Sequence, residues 1–175
     1  QAYLSSRKLT TATADRYGLG FAFNYNGLSK ELIERGYESQ YIIDSGVAYK
    51  SDEGTLHDSF YNRIIFPFYD NHGQVIGFDG RDITGNQPAK YKNTGDTLLF
   101  KKGNNLYGLY QARAAISKKD KVYIVEGQID VLSMFQNGVD NVVAGSGTAF
   151  TDNQRRLLHN TTTNIVFIYD GDAAG

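Results

Sequence analysis

VYIVEGQIDVLSMFQNG at residues 122–138 and NIVFIYDGD at residues 164–172 decide how this chain folds. Val122 to Val125 is a short apolar run that ends in Glu126-Gly127, and Asn164 to Tyr169 is another that ends in Asp170-Gly171-Asp172. Both read as buried strands. Between them, Ile129 to Asn137 reads as a helix ended by Gly138, and Asn141 to Ala144 as a strand. Thr151 or Asp152 then caps a helix running to about His159. This β-α-β-α-β order predicts an α/β fold with a parallel sheet, right-handed crossovers, and ligands at the strand C-termini. If the first and third strands are neighbours, in 2-1-3 order, Glu126, Asp170 and Asp172 converge at one edge. Strands lie roughly 5 Å apart, so carboxylates on adjacent strand ends can share or bridge a divalent cation. Without one they repel. Such a set of acids points to metal-assisted phosphoryl transfer.

The residues before Val122 follow a different pattern. Thr10 to Tyr17, Leu28 to Arg35 and Ser39 to Ser45 read as short helices, stopped by Gly18, Gly36 and Gly46. Arg63 to Tyr69 and Gln74 to Phe78 flank the turn residues Asp70-Asn71-His72-Gly73, which predicts a β-hairpin, with Pro67 marking an edge or a bulge. Leu106 to Lys118 reads as a helix from the spacing of Leu109, Ala112 and Ile116, and Lys118 to Lys121 as a solvated connector. The expected organisation is a mixed α+β part over residues 1–119 and a partial parallel-sheet domain over residues 120–175.

Composition narrows the class. At 175 residues and 41% hydrophobic content the chain can bury a core of its own. It holds no cysteine, which excludes disulfides and cysteine zinc sites within it. No apolar stretch is long enough to span a bilayer and no signal-peptide pattern opens the sequence, so the default expectation is a cytoplasmic protein that does not enter a membrane. The chain starts at Gln1 and stops inside DGDAAG, as a piece of something longer would. Net charge is −1, but residues 1–60 carry −2, residues 61–122 carry +5 and residues 123–175 carry −4. A basic middle and an acidic end suit an enzyme acting on a polyanion; the plainer reading is two solvated faces of opposite sign. His57, His72 and His159 are scattered, with no ligand spacing around them.

VYIVEGQIDVLSMFQNGVDNVVAGSGTAFTDNQ followed by IVFIYDGDAAG resembles the TOPRIM domain, a metal-binding module shared by bacterial primases, topoisomerases and some nucleases. RIIFPFYDNHGQVIGFDGR and KYKNTGDTLLFKKGNNLYGLYQA are similar to the N-terminal half of the catalytic core of bacterial DnaG-type DNA primase, and YLSSRKLTTATADRYGLGFAF to its start. The resemblance implies a DNA-directed RNA polymerase, a nucleotidyltransferase that makes short RNA primers on single-stranded DNA by two-metal chemistry. The alternatives are a TOPRIM nuclease and a non-catalytic single-stranded DNA-binding fragment.

Matched position by position, the resemblance makes Glu126, Asp170 and Asp172 the catalytic and metal-holding acids for Mg²⁺ or Mn²⁺. It makes Asp130 a further acid of the metal site or a cap on its helix. Arg81 stands in an FGGR-like motif, Lys90 and Tyr91 in KYxN, Lys102 before Gly103, and Arg63 at a basic position. The resemblance implies that these line the groove for template and nucleotide phosphates. Gly147 and Thr148 fit a GT pair in the turn beside the metal site. Asp79 departs from the pattern, adding an acid near Arg81, and Gly95 and Asp96 alter the turn after KYKN. The implied partners are a single-stranded DNA template, ribonucleoside triphosphates, the RNA–DNA hybrid and a replicative helicase bound through an absent C-terminal region. Zinc belongs only to a domain absent from this chain. A third acidic motif is expected downstream of Asp172, so these residues supply part of the metal site and the stretch alone is expected to lack full activity.

Overall fold

The computed structural model describes residues 2–145, 147 and 149–171. In chain order its elements are α1 (Ala2–Ser6), α2 (Thr11–Arg16), β1 (Gly20–Ala22), α3 (Gly27–Glu34), α4 (Ser39–Asp44), β2 (Ala48–Lys50) and β3 (Leu56–Asp58). There follow β4 (Arg63–Tyr69), β5 (Val75–Asp82), β6 (Tyr91–Asn93), a 3₁₀ turn (Lys102–Asn104) and α5 (Leu109–Lys119). The last are β7 (Val122–Val125), α6 (Gln128–Gln136), β8 (Val142–Ala144), α7 (Asp152–His159) and β9 (Ile165–Phe167). Two compact units result. The first draws on residues within 1–18, 68–75 and 102–175, the second on 19–67 and 76–101. The break expected between residues 119 and 120 falls inside the first unit, at the step from α5 to β7.

In the first unit the sheet order is β8-β7-β9, all parallel, with Val122 opposite Ile165 and Tyr123 opposite both Val142 and Val166. This is the expected 2-1-3 arrangement, and β7 lies in the centre because its apolar residues are sealed on both faces. Val122 and Ile124 pack with Leu106, Ala112, Ile116, Val143 and Leu158 into one buried cluster. The strand at 164–169 departs from its reading as buried. As the edge strand β9 and its extension it leaves Val166, Phe167, Ile168 and Tyr169 between 38 and 47% exposed. An apolar run gives no sign of which side of a sheet has a neighbour.

Helix α5 starts later than its apolar spacing suggests. Gly108 sits at φ 81°, and Tyr107 forms an antiparallel bridge to Ala144 instead of a helical turn. The backbone angle favours glycine, and a Cβ on Gly108 would stand a tight 3.0 Å from Val131 Cγ1. Segment 8–17 is pinned to α6: Gln136 Oε1 accepts from Thr10 N–H at 2.7 Å, Gln136 Nε2 donates to Lys8 O at 2.7 Å, and the Tyr17 ring packs edge-on against Phe135.

Helix α7 shows how local sequence fixes an element. Thr151 Oγ1 accepts from Gln154 N–H at 3.1 Å, and Gln154 Oε1 accepts from Thr151 N–H at 3.0 Å, a reciprocal cap. The Thr151 hydroxyl also donates to Gly103 O at 2.6 Å, tying the 3₁₀ turn to the helix start. Thr151→Ala is therefore expected to cost about 1–2 kcal/mol, read as a lower urea midpoint; an unchanged midpoint would show that the cap is dispensable.

In the second unit the sheet order is β1-β4-β5-β6, with β1 antiparallel to β4 and β6 antiparallel to β5. The expected hairpin is present, closed by Asp70 N–H to Gln74 O at 2.9 Å; its tip, residues 68–75, groups with the first unit. Pro67 lies in a strand with neighbours on both sides, not on an edge strand, yet β1 pairs only with residues 63–65 and has ended before the proline. The α3 start is capped from a distance, since Asp58 accepts from the N–H groups of Leu28 and Ser29 at 2.8 Å each. A separate small core of Ile42, Val47 and Ala48 gathers Leu32, Leu56 and Phe78.

Candidate metal centre and basic residues

Parallel pairing of β7 and β9 carries one register to the residues just past the strands. Ile168 N–H donates to Ile124 O at 2.8 Å, and two residues later Asp170 N–H donates to Glu126 Oε1 at 2.9 Å. Glu126 and Asp170 therefore meet at the C-terminal edge of the sheet, both exposed. The Tyr169 hydroxyl titrates above its usual range, through its burial first and then the nearby Glu126 charge, so the carboxylate is felt across the strand ends. Asp172 lies outside the described residues, as do Ser146 and Thr148 of the GSGT turn. Among the described residues no three acidic or histidine side chains gather closely enough to form a metal cluster.

The donors at this edge still suit a hard cation. Carboxylate oxygens on adjacent strand ends are the ligands Mg²⁺ and Mn²⁺ take. Glu126 Oε2 has no hydrogen-bond partner among the described residues. Asp130, in the first turn of α6, accepts from Gly127 N–H at 3.1 Å and so fixes the loop that directs Glu126.

In the second unit, Arg63, Arg81, Lys90 and Tyr91 are brought together around the β5–β6 pair. Arg63 is only 3% exposed. Its guanidinium donates to Gly80 O at 2.9 Å, Ala89 O at 2.8 Å and Lys90 O at 3.3 Å. Arg81, 8% exposed, sits opposite Tyr91 in the ladder, donates to its hydroxyl, and lies 5.0 Å from the ring centroid. Lys90 is exposed while its own backbone is clamped, its carbonyl also accepting from Asp82 N–H at 2.9 Å. Lys102 belongs to the first unit, half-buried in the 3₁₀ turn. Asp79 is buried on β5.

Two features escaped the sequence reading. Lys92, one strand position beyond Tyr91, lies 5.6 Å from the Tyr49 ring centroid, and its ammonium titrates below the usual lysine value because of burial and, secondarily, Arg63. Asp82 organises the loop between β5 and β6, accepting from Thr84 N–H at 2.9 Å, Thr84 Oγ1 at 2.7 Å and Gln87 N–H at 3.2 Å. Burial alone would raise its pKa, but these donors outweigh it and hold it at about 2. Because the folded value lies below the unfolded 3.8, the stabilisation is present above that pH and is lost as pH falls towards about 2. Asp82→Asn is expected to flatten this acid limb of the urea-midpoint profile; an unchanged slope would remove Asp82 as its source.

Comparison with known proteins bears on this arrangement. Residues 1–113 match the family described as DNA primase catalytic core, N-terminal domain. The chain belongs to that family. Residues 123–175 match a second family, described as Toprim-like, and a Toprim primase core implies use of a divalent metal. The chain is 41% identical over 174 residues to DNA primase of Legionella pneumophila, and 39% over 173 to that of Aquifex aeolicus. These alignments take in 99% of this chain but 30% and 34% of the relatives, so it spans about a third of their length. Among solved structures, the Escherichia coli primase catalytic core superposes with a TM-score of 0.89 at 37% identity, covering 99% of this chain and 56% of that one. A DnaG primase catalytic domain bound to single-stranded DNA matches at 0.89 and 36%, covering 99% and 54%. The fold class read from the sequence, a mixed α/β chain with a parallel Toprim sheet, is the one observed.

Proposed function

We propose that this chain is part of a cytoplasmic DNA primase that synthesises short RNA primers on single-stranded DNA by two-metal nucleotidyl transfer. The observation that carries the reading is the meeting of Glu126 and Asp170 on adjacent parallel strand ends, with Asp170 N–H on Glu126 Oε1 at 2.9 Å. In this reading Glu126, Asp170 and Asp172 hold Mg²⁺ or Mn²⁺. When bound, such ions neutralise charge on the reacting phosphate and on the attacking and leaving oxygens. Asp130, through Gly127, acts as a positioning residue and stands by as a further metal-site acid.

The basic residues divide by their exposure. In this reading the exposed Lys90 and the half-buried Lys102 neutralise template or nucleotide phosphates, a contact that needs no sequence reading. Tyr91, backed by Arg81, offers a ring for base stacking. Arg63 spends its donors on three carbonyls, which counts against a direct phosphate contact and favours a part in shaping the strand that carries Lys90 and Tyr91. Ribonucleoside triphosphates, the RNA–DNA hybrid and a replicative helicase are the further partners of the whole protein, with zinc confined to a domain outside this chain. Among the described residues no helix is long and apolar enough to cross a membrane.

Primer synthesis from ribonucleoside triphosphates on single-stranded DNA, using the full-length protein with Mg²⁺ or Mn²⁺, tests the proposal. RNA product that disappears with Glu126→Gln supports it. Strand cleavage without RNA product would replace it with a TOPRIM nuclease, and binding with neither product would leave a non-catalytic module.

A further inference from the structure

A groove in the first unit, lined by neither Glu126 nor Asp170, runs between α5, α7 and the hairpin tip, with a volume of about 380 Å³. Asn71, Leu109, Arg113, Arg156, Asn160 and Thr161 line it. Helical spacing explains the alignment. Leu109 and Arg113 are four apart on α5, and Arg156 and Asn160 are four apart along α7 and its C-terminal cap, so each pair shares one helix face. Asn153 and Asn104, also in its lining, are joined by Asn153 Nδ2 donating to Asn104 Oδ1 at 2.8 Å.

The charge balance of this groove is unusual for a solvated surface. Two guanidinium groups border it, and among the described residues no carboxylate does. On α7 the neighbouring Arg155 pairs with Asp152 at 3.3 Å, and at the end of α5 Lys119 pairs with Asp140. By contrast, Arg113, Arg156 and the side-chain amides of Asn71 and Asn160 make no hydrogen bond or ion pair among the described residues. Planar donor forks and amide N–H groups facing a common space are what a phosphate accepts from, and Leu109 and Leu157 supply apolar wall beside them. The volume falls at the lower end of clefts that hold small organic ligands, roughly 300–1,000 Å³.

We propose that this groove is a second, metal-independent site for a small phosphorylated ligand of nucleotide size, its phosphate held between Arg113 and Arg156. The site owes nothing to Glu126 or Asp170, so it stands whether or not the polymerase reading does. ATP is the probe, titrated by calorimetry into the full-length protein in excess EDTA, where sites that need a metal are silent. Binding is expected for the wild type and for Glu126→Gln, and at least ~10-fold weaker binding for R113A/R156A. Asn160→Asp, which places a carboxylate in the groove, is expected to weaken ATP in the same way. All the altered side chains are exposed, and unchanged thermal midpoints would confirm that the fold is intact. Absence of ATP binding in EDTA, or equal binding by R113A/R156A, would overturn the proposal. So would Arg-dependent binding of an oligothymidylate with none of ATP.

Discussion

If Glu126 holds a metal ion as proposed, Glu126→Gln is expected to lower primer synthesis by the full-length protein by at least ~100-fold. Losing a group that only orients a metal ligand costs ~10–100-fold, and a ligating carboxylate is nearer the chemistry than that. The amide keeps an oxygen where Asp170 N–H donates, so the strand ends remain joined. What is lost is charge, and with it affinity for a hard cation. The discriminating pattern is an unchanged thermal midpoint together with the loss of activity. Full activity in the variant would remove Glu126 from the metal site.

Arg63→Ala is expected to destabilise the protein by about 3 kcal/mol, since hydrogen bonds from a charged donor contribute ~1.5–3 kcal/mol each and the carbonyls left behind are desolvated. Those carbonyls belong to Gly80, Ala89 and Lys90, so the loss falls on the β5–β6 region that presents Lys90 and Tyr91. Packing offers no easy repair. A Cβ on Gly80 would already stand 2.6 Å from the Phe60 ring and 2.9 Å from Arg63 Cδ, so glycine, phenylalanine and arginine fit as one unit. Arg63→Lys should recover only part of the stability, because an ammonium lacks the planar fork that reaches several carbonyls. A urea midpoint indistinguishable from wild type would show that the arginine is not structural.

Much of this was legible in the sequence wherever the cause is local. Gly18, Gly36 and Gly46 stop helices through their own positive φ, and Thr151 caps α7 with a residue three positions on. The alternation after Val122 and the placing of Glu126 beside Asp170 followed from one topological rule about parallel strands. What stayed hidden depends on partners far along the chain. Asp58 caps α3 across about thirty residues, a link no spacing rule reports. Arg63 reads as a basic strand-end residue until the carbonyls that surround it are known. The apolar edge at β9 shows the same limit, because burial is set by neighbouring strands and not by the run itself.

The first unit is stitched from three separated stretches of chain, and this orders events during synthesis on the ribosome. Lys8 O finds its donor and Thr10 N–H its acceptor on Gln136, so these two groups must wait while more than a hundred further residues are translated. Residues 19–67 and 76–101 group with one another and are all synthesised sooner, so they are free to close first. The middle of this chain is thus expected to close before its flanks, and the acids meet only after Asp170 emerges.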